Sequence, residues 1–229
     1  MTSGNDSAAA GEGSGGGRLS DLAYARILET LFEGRIPAGA FLSQNDLVKL
    51  LGIPVAPLRD ALRILETEGV LTIHPRSGIQ FVKPGLELTR STYQFRGIIE
   101  QAAVKVYAET ADDTELAELE RRHREAARRI ASEGLGPALK AELEELELLL
   151  HEAIIASLGN PLIETTYKRM HNYLRLLRLD RRLTAPLALR SLREHLEIIL
   201  ACRARDPDAA AAALAAHFTA ALQRHMGLF

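Results

Sequence analysis

The strongest constraint on the fold is a pair of short helical patterns early in the chain. Ser43 can cap a first short helix, whose apolar stripe ends at Gly52. Pro54 and Pro57 restrict the turn that follows, and a second helical pattern then continues to Gly69. Two short helices joined by a restricted turn are typical of a helix-turn-helix.

A β-hairpin is predicted directly after these helices. Residues 70–73 and 79–82 are short runs rich in branched side chains, and residues 75–78 contain the proline and glycine of a tight turn. A longer helical pattern over residues 19–32 precedes the two short helices. This order predicts a winged helix-turn-helix domain over residues 18–83.

The rest of the chain predicts an all-α domain. After a linker at residues 84–88, residues 89–229 show helical periodicity, with breaks that separate about six or seven helices. The predicted fold class is therefore mainly α, with a small β-hairpin wing in the N-terminal domain and a C-terminal helical bundle. Periodicity leaves open whether the bundle encloses a cavity or a solid core.

The first residues and the cysteine content bear on the compartment. Residues 1–17 are mostly Gly, Ser and Ala, which predicts a disordered leader without the basic and apolar regions of a signal peptide. No run approaches the roughly 18 apolar residues that span a bilayer. The single cysteine, Cys202, excludes an intrachain disulfide framework. Together these features predict a cytoplasmic protein with no membrane partner.

Charge alone does not indicate a nucleic-acid partner. The chain carries 28 Lys+Arg and 30 Asp+Glu, a formal net charge of −2. Residues 18–85 contain 8 basic and 7 acidic side chains, a balance of 8 − 7 = +1. Attraction for phosphates must therefore come from the placement of single basic residues, from helix N-termini or from dimerisation.

The motifs of the N-terminal domain nevertheless resemble those of the GntR family of winged-helix regulators. The resemblance rests on residues 38–43, 47–52, 57–62, 65–70 and 76–82. It implies binding to double-stranded DNA, with the second short helix placing its N-terminal turn in the major groove. Arg59 matches the DNA-facing arginine of the family. The alternative is a surface arginine paired with Glu66 or Asp60.

The turn before this helix departs from the family pattern. Pro54, Val55 and Ala56 stand where the family usually has small or hydroxyl residues and an arginine. Val55 can contact a thymine methyl but cannot donate a hydrogen bond to guanine, and Ala56 is likewise a purely apolar contact. Ser43 is expected to contact a phosphate mainly through its role as a helix cap.

The tip of the hairpin supplies the remaining candidates for DNA contact. Arg76, Ser77 and Gly78 either enter the minor groove or hold a phosphate, or they form an ordinary solvated turn. We expect fewer direct base contacts than is usual in the family. A homodimer on a partly palindromic operator would then supply the affinity that one domain lacks.

Four residues of the helical part have the types and spacing of metal ligands. Glu147 and His151 are four apart and share one helix face, while His195 and His217 lie on two later helical segments. Three imidazoles and a carboxylate suit zinc, nickel, manganese or iron. On spacing alone, distant histidines are more often core or surface residues, so that alternative stays open.

The same segments resemble the helical ligand-binding domain called FCD, which occurs in the FadR subgroup of GntR regulators. The resemblance extends over residues 93–226 and rests on residues 149–154, 159–161, 194–199 and 205–217. In metal-binding members an Asp and three histidines are the ligands, and these positions match Glu147, His151, His195 and His217. The resemblance implies a divalent metal ion, zinc first, that anchors a small organic acid. An apo pocket lined by histidines is the alternative.

Further residues are candidates for contact with this effector. Arg96 matches a family arginine near the pocket and would pair with a carboxylate, unless it forms an intrahelical ion pair with Glu100. Asn172 and Arg175 are also effector candidates. Arg178, by contrast, is assigned to a solvated helix face.

No catalytic group can be assigned beside the proposed ligands. His123 lies in residues 121–129, where basic and acidic side chains alternate as in an exposed helix, and receives no role. Without a nucleophile or general base, an enzyme is not expected. The sequence predicts a homodimeric transcription regulator, usually a repressor in this family. Two alternatives remain, a metal-dependent hydrolase fused to a DNA-targeting module and a helical domain that is only a dimerisation scaffold.

Overall fold

The computed structural model describes residues 13–179 and 183–227, which belong to two compact units divided between Pro84 and Gly85. The first unit combines helices with a small sheet, and the described part of the second is built from helices. The predicted fold class is therefore confirmed.

The first unit contains three helices and three short strands among its described residues. They are α1 (Gly13–Phe32), β1 (Phe41–Leu42), α2 (Gln44–Leu51), α3 (Val55–Thr67), β2 (Leu71–His74) and β3 (Gly78–Phe81). The strands form an antiparallel sheet in the order β1-β3-β2, with Ile79 opposite both Leu42 and Ile73. The predicted hairpin is thus present as β2 and β3, whereas β1 was not predicted.

Local sequence accounts for the position of α2. The Ser43 hydroxyl accepts a hydrogen bond from the Asp46 backbone N–H at 3.1 Å, and the Asp46 carboxylate accepts one from the Ser43 backbone N–H at 3.2 Å. This reciprocal arrangement is a capping box. Gly52 ends the helix at φ 64°, in the left-handed region that glycine adopts without strain. The short turn to Val55 then starts α3.

The core of this unit joins one face of each helix to the sheet. Its buried side chains include Ile27, Leu31, Leu47, Leu58, Leu62, Leu65, Ile79 and Phe81. Burial of an apolar side chain of this size contributes about 1.5–3 kcal/mol. The core therefore holds α2 and α3 in one orientation relative to the hairpin.

Both predicted unstructured segments overlap helices at their edges. Residues 1–12 of the predicted leader lie outside the described residues, and α1 already begins at Gly13. The predicted linker at residues 84–88 contains the division between the units, but α4 begins at Leu86. Residues 86–88 are therefore helical.

The second unit contains six helices among its described residues. They are α4 (Leu86–Thr110), α5 (Asp113–Glu133), α6 (Pro137–Ala156), α7 (Pro161–Leu179), α8 (Ala185–Arg203) and α9 (Pro207–Met226). Helix α9 packs on α4 and α8, α8 packs on α5, and α6 packs on α4 and α5. None of the helices described is both long and apolar enough to cross a membrane.

Helices α4 and α5 are among those that carry polar side chains on their buried faces. Buried positions recur every three or four residues, as expected for amphipathic helices. On α5 the stripe is Leu116, Leu119, His123, Ala126 and Ile130. On α4 it includes Tyr93, Arg96, Glu100, Ala103 and Tyr107. The polar members of these stripes meet the functional cluster described next.

Candidate functional site

Three helices bring the four predicted ligands together inside the second unit. Glu147 and His151 lie one turn apart on α6, His195 lies on α8 and His217 on α9. One side-chain donor atom from each residue lies within 4.8 Å of the others, and all four residues are buried. We call these residues the four-residue cluster.

Each histidine of the cluster uses its Nδ1 atom for a contact away from the centre. His151 Nδ1 lies 2.5 Å from Glu100 Oε2, and His217 Nδ1 lies 2.9 Å from Glu194 Oε2. His195 Nδ1 lies 3.2 Å from Nε2 of His123. The three Nε2 atoms of the cluster are buried and have no hydrogen-bond partner among the described residues. Buried polar atoms are rarely left in this state without a ligand.

Hydrogen bonding by His123 sets the proton position on His195. His123 Nδ1 lies 2.7 Å from the Leu119 carbonyl oxygen, which can only accept, so Nδ1 carries the proton. Burial, together with the neighbouring His195, lowers the pKa of His123 to about 3, so the ring is neutral at neutral pH. Its Nε2 therefore accepts from His195 Nδ1–H, which leaves a lone pair on His195 Nε2 directed at the cluster.

The fourth member, Glu147, is an ionised carboxylate. Its oxygens lie 3.3 Å from His195 Nε2 and 2.8 Å from Nη2 of Arg178. Burial raises the pKa of the Glu147 carboxyl, but the charge of Arg178 lowers it well below its usual value. Burial also lowers the pKa of His151, His195 and His217, which favours neutral rings.

Behind the cluster lies a buried ionic network centred on Glu100. Its carboxylate accepts hydrogen bonds from Arg96 Nε at 2.6 Å and from the Tyr167 hydroxyl at 3.0 Å, in addition to His151. Burial raises the pKa of Glu100, but Arg96 and these hydrogen bonds hold it at about 2. The Arg96 guanidinium also lies over the Phe218 ring, 4.6 Å from its centroid. This network orients His151.

The donor set fits a divalent metal ion. Three neutral imidazoles with Nε2 lone pairs and one carboxylate are ligands that zinc and other first-row metals accept. Each imidazole is oriented by a partner on its other nitrogen, an arrangement that usually accompanies metal-ligating histidines. The extra methylene of Glu147, relative to aspartate, is accommodated, because its carboxylate already lies beside the Nε2 atom of His195.

A cavity of about 840 Å³ reaches the cluster from the side of α6, α8 and α9. Glu147, His195 and His217 form part of its wall, together with Arg178 of α7 and Tyr93 of α4. Sites that take drug-sized ligands have volumes of about 300–1,000 Å³. The cluster is therefore accessible to a small molecule.

The predicted effector residues occupy different places. Arg96 is buried and makes both the predicted intrahelical ion pair with Glu100 and a 3.4 Å contact from Nη1 to Glu147. Among the described residues of the cavity wall, neither Asn172 nor Arg175 is present, and the Arg175 side chain is exposed. The assignment of Arg178 to a solvated face is wrong, because its guanidinium contacts Glu147 and lines the cavity.

Sequence reasoning missed the residues that support the cluster. The interpretation of residues 121–129 as an exposed helix face is wrong for His123, which has no exposed surface. Glu194 and Tyr167 received no role either, and Glu100 was named only as the alternative partner of Arg96. For His123 and Glu100 a signal existed, because both fall on the apolar stripe of their helix. The roles of Glu194 and Tyr167 follow only from contacts between helices.

The first unit displays the predicted DNA-contact residues on one helix N-terminus and its surroundings. Val55 and Ala56 are exposed in the first turn of α3, and Arg59 is exposed one turn later. Glu66 accepts a hydrogen bond from the Ile73 backbone N–H at 2.7 Å instead of pairing with Arg59. No ion pair engages Arg59 within the described residues, so its guanidinium is available.

Ser43 is exposed at the start of α2, but its hydroxyl also donates a hydrogen bond to the Asp46 carboxylate.

At the hairpin tip, Arg76 and Ser77 are exposed, and Arg76 adopts a left-handed φ of 64°. At Gly78, the requirement for glycine is steric. A Cβ atom there would lie 2.8 Å from the Leu42 carbonyl oxygen and from Phe41 Cε1, so the close approach of β1 requires its absence. Gly78 therefore permits the pairing of β1 with β3, and Arg76 and Ser77 are the side chains offered at the tip.

Together these features define a class of protein, a transcription regulator that joins a winged helix-turn-helix to an all-α domain. The chain belongs to the FCD family, whose domain matches residues 91–220, and the gntR family of bacterial regulatory proteins matches residues 19–81. These matches confirm the predicted GntR-type DNA-binding domain followed by an FCD domain. Both families consist of regulators, and the chain is not an enzyme.

Known proteins resemble the chain over most of its length. YdhC of Bacillus subtilis (strain 168), described as an uncharacterized HTH-type transcriptional regulator, is 25% identical over 195 residues, 85% of each chain. The E. coli McbR/YncC structure has a TM-score of 0.73 at 18% identity and covers 92% of this chain and 98% of its own. A Rhodococcus sp. RHA1 structure assigned to the GntR regulators has a TM-score of 0.74 at 21% identity, covering 93% and 99%. At these identities the structural matches show a shared fold.

Proposed function

We propose that the chain is a homodimeric repressor of the FadR subgroup whose helical domain holds a divalent metal ion, zinc first, and senses a small organic acid. The observation that carries this proposal is a set of three buried Nε2 atoms that converge with the Glu147 carboxylate and have no hydrogen-bond partner among the residues that the structure describes. A bound ion would satisfy all of them at once. It would act as a Lewis acid for a ligand carboxylate.

The DNA-binding half of the proposal rests on the N-terminus of α3. Arg59 presents an exposed guanidinium, unpaired within the described part of the chain, that can span the acceptors of a guanine or two phosphate oxygens. The domain has little net charge, so we infer that two copies on a palindromic operator are needed for tight binding. Repression, and release of DNA when the acid binds, require the ligand to prefer one arrangement of the dimer.

The decisive test is operator binding by the purified protein in four states. The operator would be selected from the sequences adjoining its own gene, and fluorescence anisotropy would measure affinity with zinc or with chelator, each with and without a panel of organic acids. We expect an acid to change affinity only in the zinc-loaded protein. Turnover of the acid would instead indicate the hydrolase alternative. Absence of metal and of any thermal shift across the panel would indicate a dimerisation scaffold.

Replacing Arg59 by alanine should weaken operator binding by about 1–3 kcal/mol and relax the preference for one base pair. The reason is the loss of a forked donor at the helix end that enters the groove. Anisotropy titrations at several salt concentrations would measure this change. Arg63→Ala is the matched control, because it removes the same charge one turn farther along α3 and should mainly reduce the salt dependence. Unchanged affinity in Arg59→Ala would show that α3 is not the reading helix.

Replacing His123 by phenylalanine should weaken zinc binding by about 10–100-fold, the usual effect of losing a residue that orients a metal ligand. The ring volume is kept, but His195 Nδ1 loses its acceptor and its proton position is no longer set. Competition titration with a zinc chelator would measure affinity, and ¹⁵N NMR of the metal-free protein would report the tautomer of His195. His171→Phe is the control. If affinity and tautomer both match the wild type, His123 has no orienting role.

A further inference from the structure

We propose that the effector is a monocarboxylic acid with an extended apolar body, and not a compact polycarboxylate. This inference rests on the proposed function, because it takes the four-residue cluster as the polar anchor of the ligand. It adds the chemical class of the rest of the molecule, which the walls of the cavity define.

The cavity is elongated along two helices. Glu147 on α6 and His195 on α8 stand at the cluster, while Lys140 and Leu187 line the cavity seven and eight residues earlier on the same helices. At 1.5 Å per residue these spacings correspond to about 10–12 Å. A ligand whose carboxylate sits at the cluster therefore has room for a body about as long as two helical turns.

The wall along this path contains a band of aliphatic side chains beside the hydroxyls of Thr184 and Ser191. Its aliphatic members are Leu143, Leu183, Leu187, Ala188, Leu192 and Ala221. They come from both sides of the cavity, since Leu143 lies on α6, Ala221 on α9 and the others on or just before α8. A polar ligand body placed against the aliphatic band would lose hydration there without a partner for its polar atoms. An alkyl or aryl body would gain from burial.

Two of the cations of the wall, Arg178 and Arg224, already contact carboxylates of the protein. Arg178 contacts Glu147 at 2.8 Å, and Arg224 makes two 2.6 Å hydrogen bonds to Glu194. At the far end, Lys140 is accompanied by Glu144, one turn later on α6. Among the lining residues that the structure describes, Arg178 and Arg224 are thus engaged by protein carboxylates, and Lys140 shares its helix face with Glu144. With a metal ion bound, the four-residue cluster would be the anchor for a ligand carboxylate.

The test is calorimetric titration of the zinc-loaded protein with acetate, butyrate, hexanoate and octanoate, and with citrate. The dissociation constant should fall by about fourfold for each added methylene until the chain reaches the end of the cavity, since burial of a methylene contributes about 0.8 kcal/mol. Citrate should bind no more tightly than acetate. Equal affinity across the series, or tightest binding of citrate, would overturn the proposal.

A variant of Leu187 tests whether the aliphatic side chains of the wall contact the ligand. Leu187→Gln should reduce octanoate affinity to that of butyrate while leaving acetate affinity and zinc content unchanged, because Leu187 lies two turns from His195. Leu200→Gln, at an exposed leucine of the same helix, is the matched control and should bind every acid like the wild type. If Leu187→Gln behaves like this control, the apolar wall does not hold the ligand.

Failure of this inference is distinguishable from failure of the proposed function. If no acid in the series, citrate included, binds the zinc-loaded protein, the sensing role itself is wrong. If acids bind with zinc but not after chelation, and without dependence on chain length, the sensing role stands and the ligand class proposed here is wrong.

Discussion

The His195→Ala variant is expected to lose stoichiometric zinc binding while the helical domain stays folded. His195 is central in the cluster, with its ring centroid 4.8 Å from that of His217 and 5.4 Å from that of His151. Its removal deletes one of three imidazole donors and also releases His123 from its partner. The loss of affinity should therefore exceed the roughly 10–100-fold expected from changing an orienting residue alone.

Elemental analysis after exhaustive dialysis, followed by zinc titration of the same samples, would measure this effect. His171→Ala is a suitable control, because it removes a half-buried histidine of α7 that is outside the four-residue cluster. Circular dichroism would show that both variants remain helical. Full zinc content in His195→Ala would show that the ligand set is wrong, whereas loss of zinc in both variants would indicate an effect on the fold.

The sequence predicted the elements of the first unit because local patterns determine them. The cap at Ser43, the left-handed Gly52 and the two branched runs of the hairpin each act within a few residues. Strand β1 was not predicted because it depends on a contact that is distant in the sequence. Its two residues have no pattern of their own, and they form a strand only because they pair with β3. The need for glycine at position 78 was not predicted either. It arises because β1, more than thirty residues earlier, passes too close for a Cβ atom.

In the second unit, spacing placed Glu147 and His151 on one face of α6, but it could not place His195 and His217 beside them. That step came from the family resemblance, and the packing of α6, α8 and α9 provides its physical basis. The surroundings of the cluster were predicted less well. His123 was predicted to be exposed because charged residues flank it in the sequence, although its own position lies on the buried stripe of α5.

The contact made by Arg178 could not be predicted from the periodicity of its own helix. An arginine near the end of an amphipathic helix is usually solvated, and periodicity offers no reason to place it elsewhere. In the structure its long side chain reaches the buried carboxylate of Glu147, so that the charge is paired while 27% of the side chain stays exposed. Such a contact depends on where α6 lies relative to α7, which the sequence of α7 alone does not determine.

The buried pair of Arg96 and Glu100 is expected to have the largest effect on stability of any single contact described here. The Glu100→Gln variant should lose about 3 kcal/mol, because a guanidinium that is 1% exposed would lose its 2.6 Å carboxylate partner. Native proteins have a total stability of only about 5–15 kcal/mol. Urea unfolding followed by circular dichroism, in the presence of chelator, would measure the change without a contribution from metal.

The difference in unfolding free energy between the wild type and Glu100→Gln should become smaller as the pH falls. The pKa of Glu100 is lowered from 4.5 to about 2 in the folded protein, so its charge stabilises the fold above about pH 4.5. This contribution is lost as the pH falls toward 2, and the wild type and Glu100→Gln should converge there. Lys105→Met is the control, since it removes an exposed ion pair on the same helix and should leave the urea midpoint unchanged.

A double variant separates the two ways in which Glu100 can stabilise the domain. If the penalty comes from an Arg96 guanidinium left with its longer 3.4 Å contact to Glu147, adding Arg96→Met to Glu100→Gln should restore part of the lost stability, because that poorly paired buried charge is removed. If the double variant is no more stable than the single one, the loss lies in the hydrogen bonds from Tyr167 and His151. In that case Glu100 stabilises the fold by orienting His151 and Tyr167, and its charge is needed only to hold them.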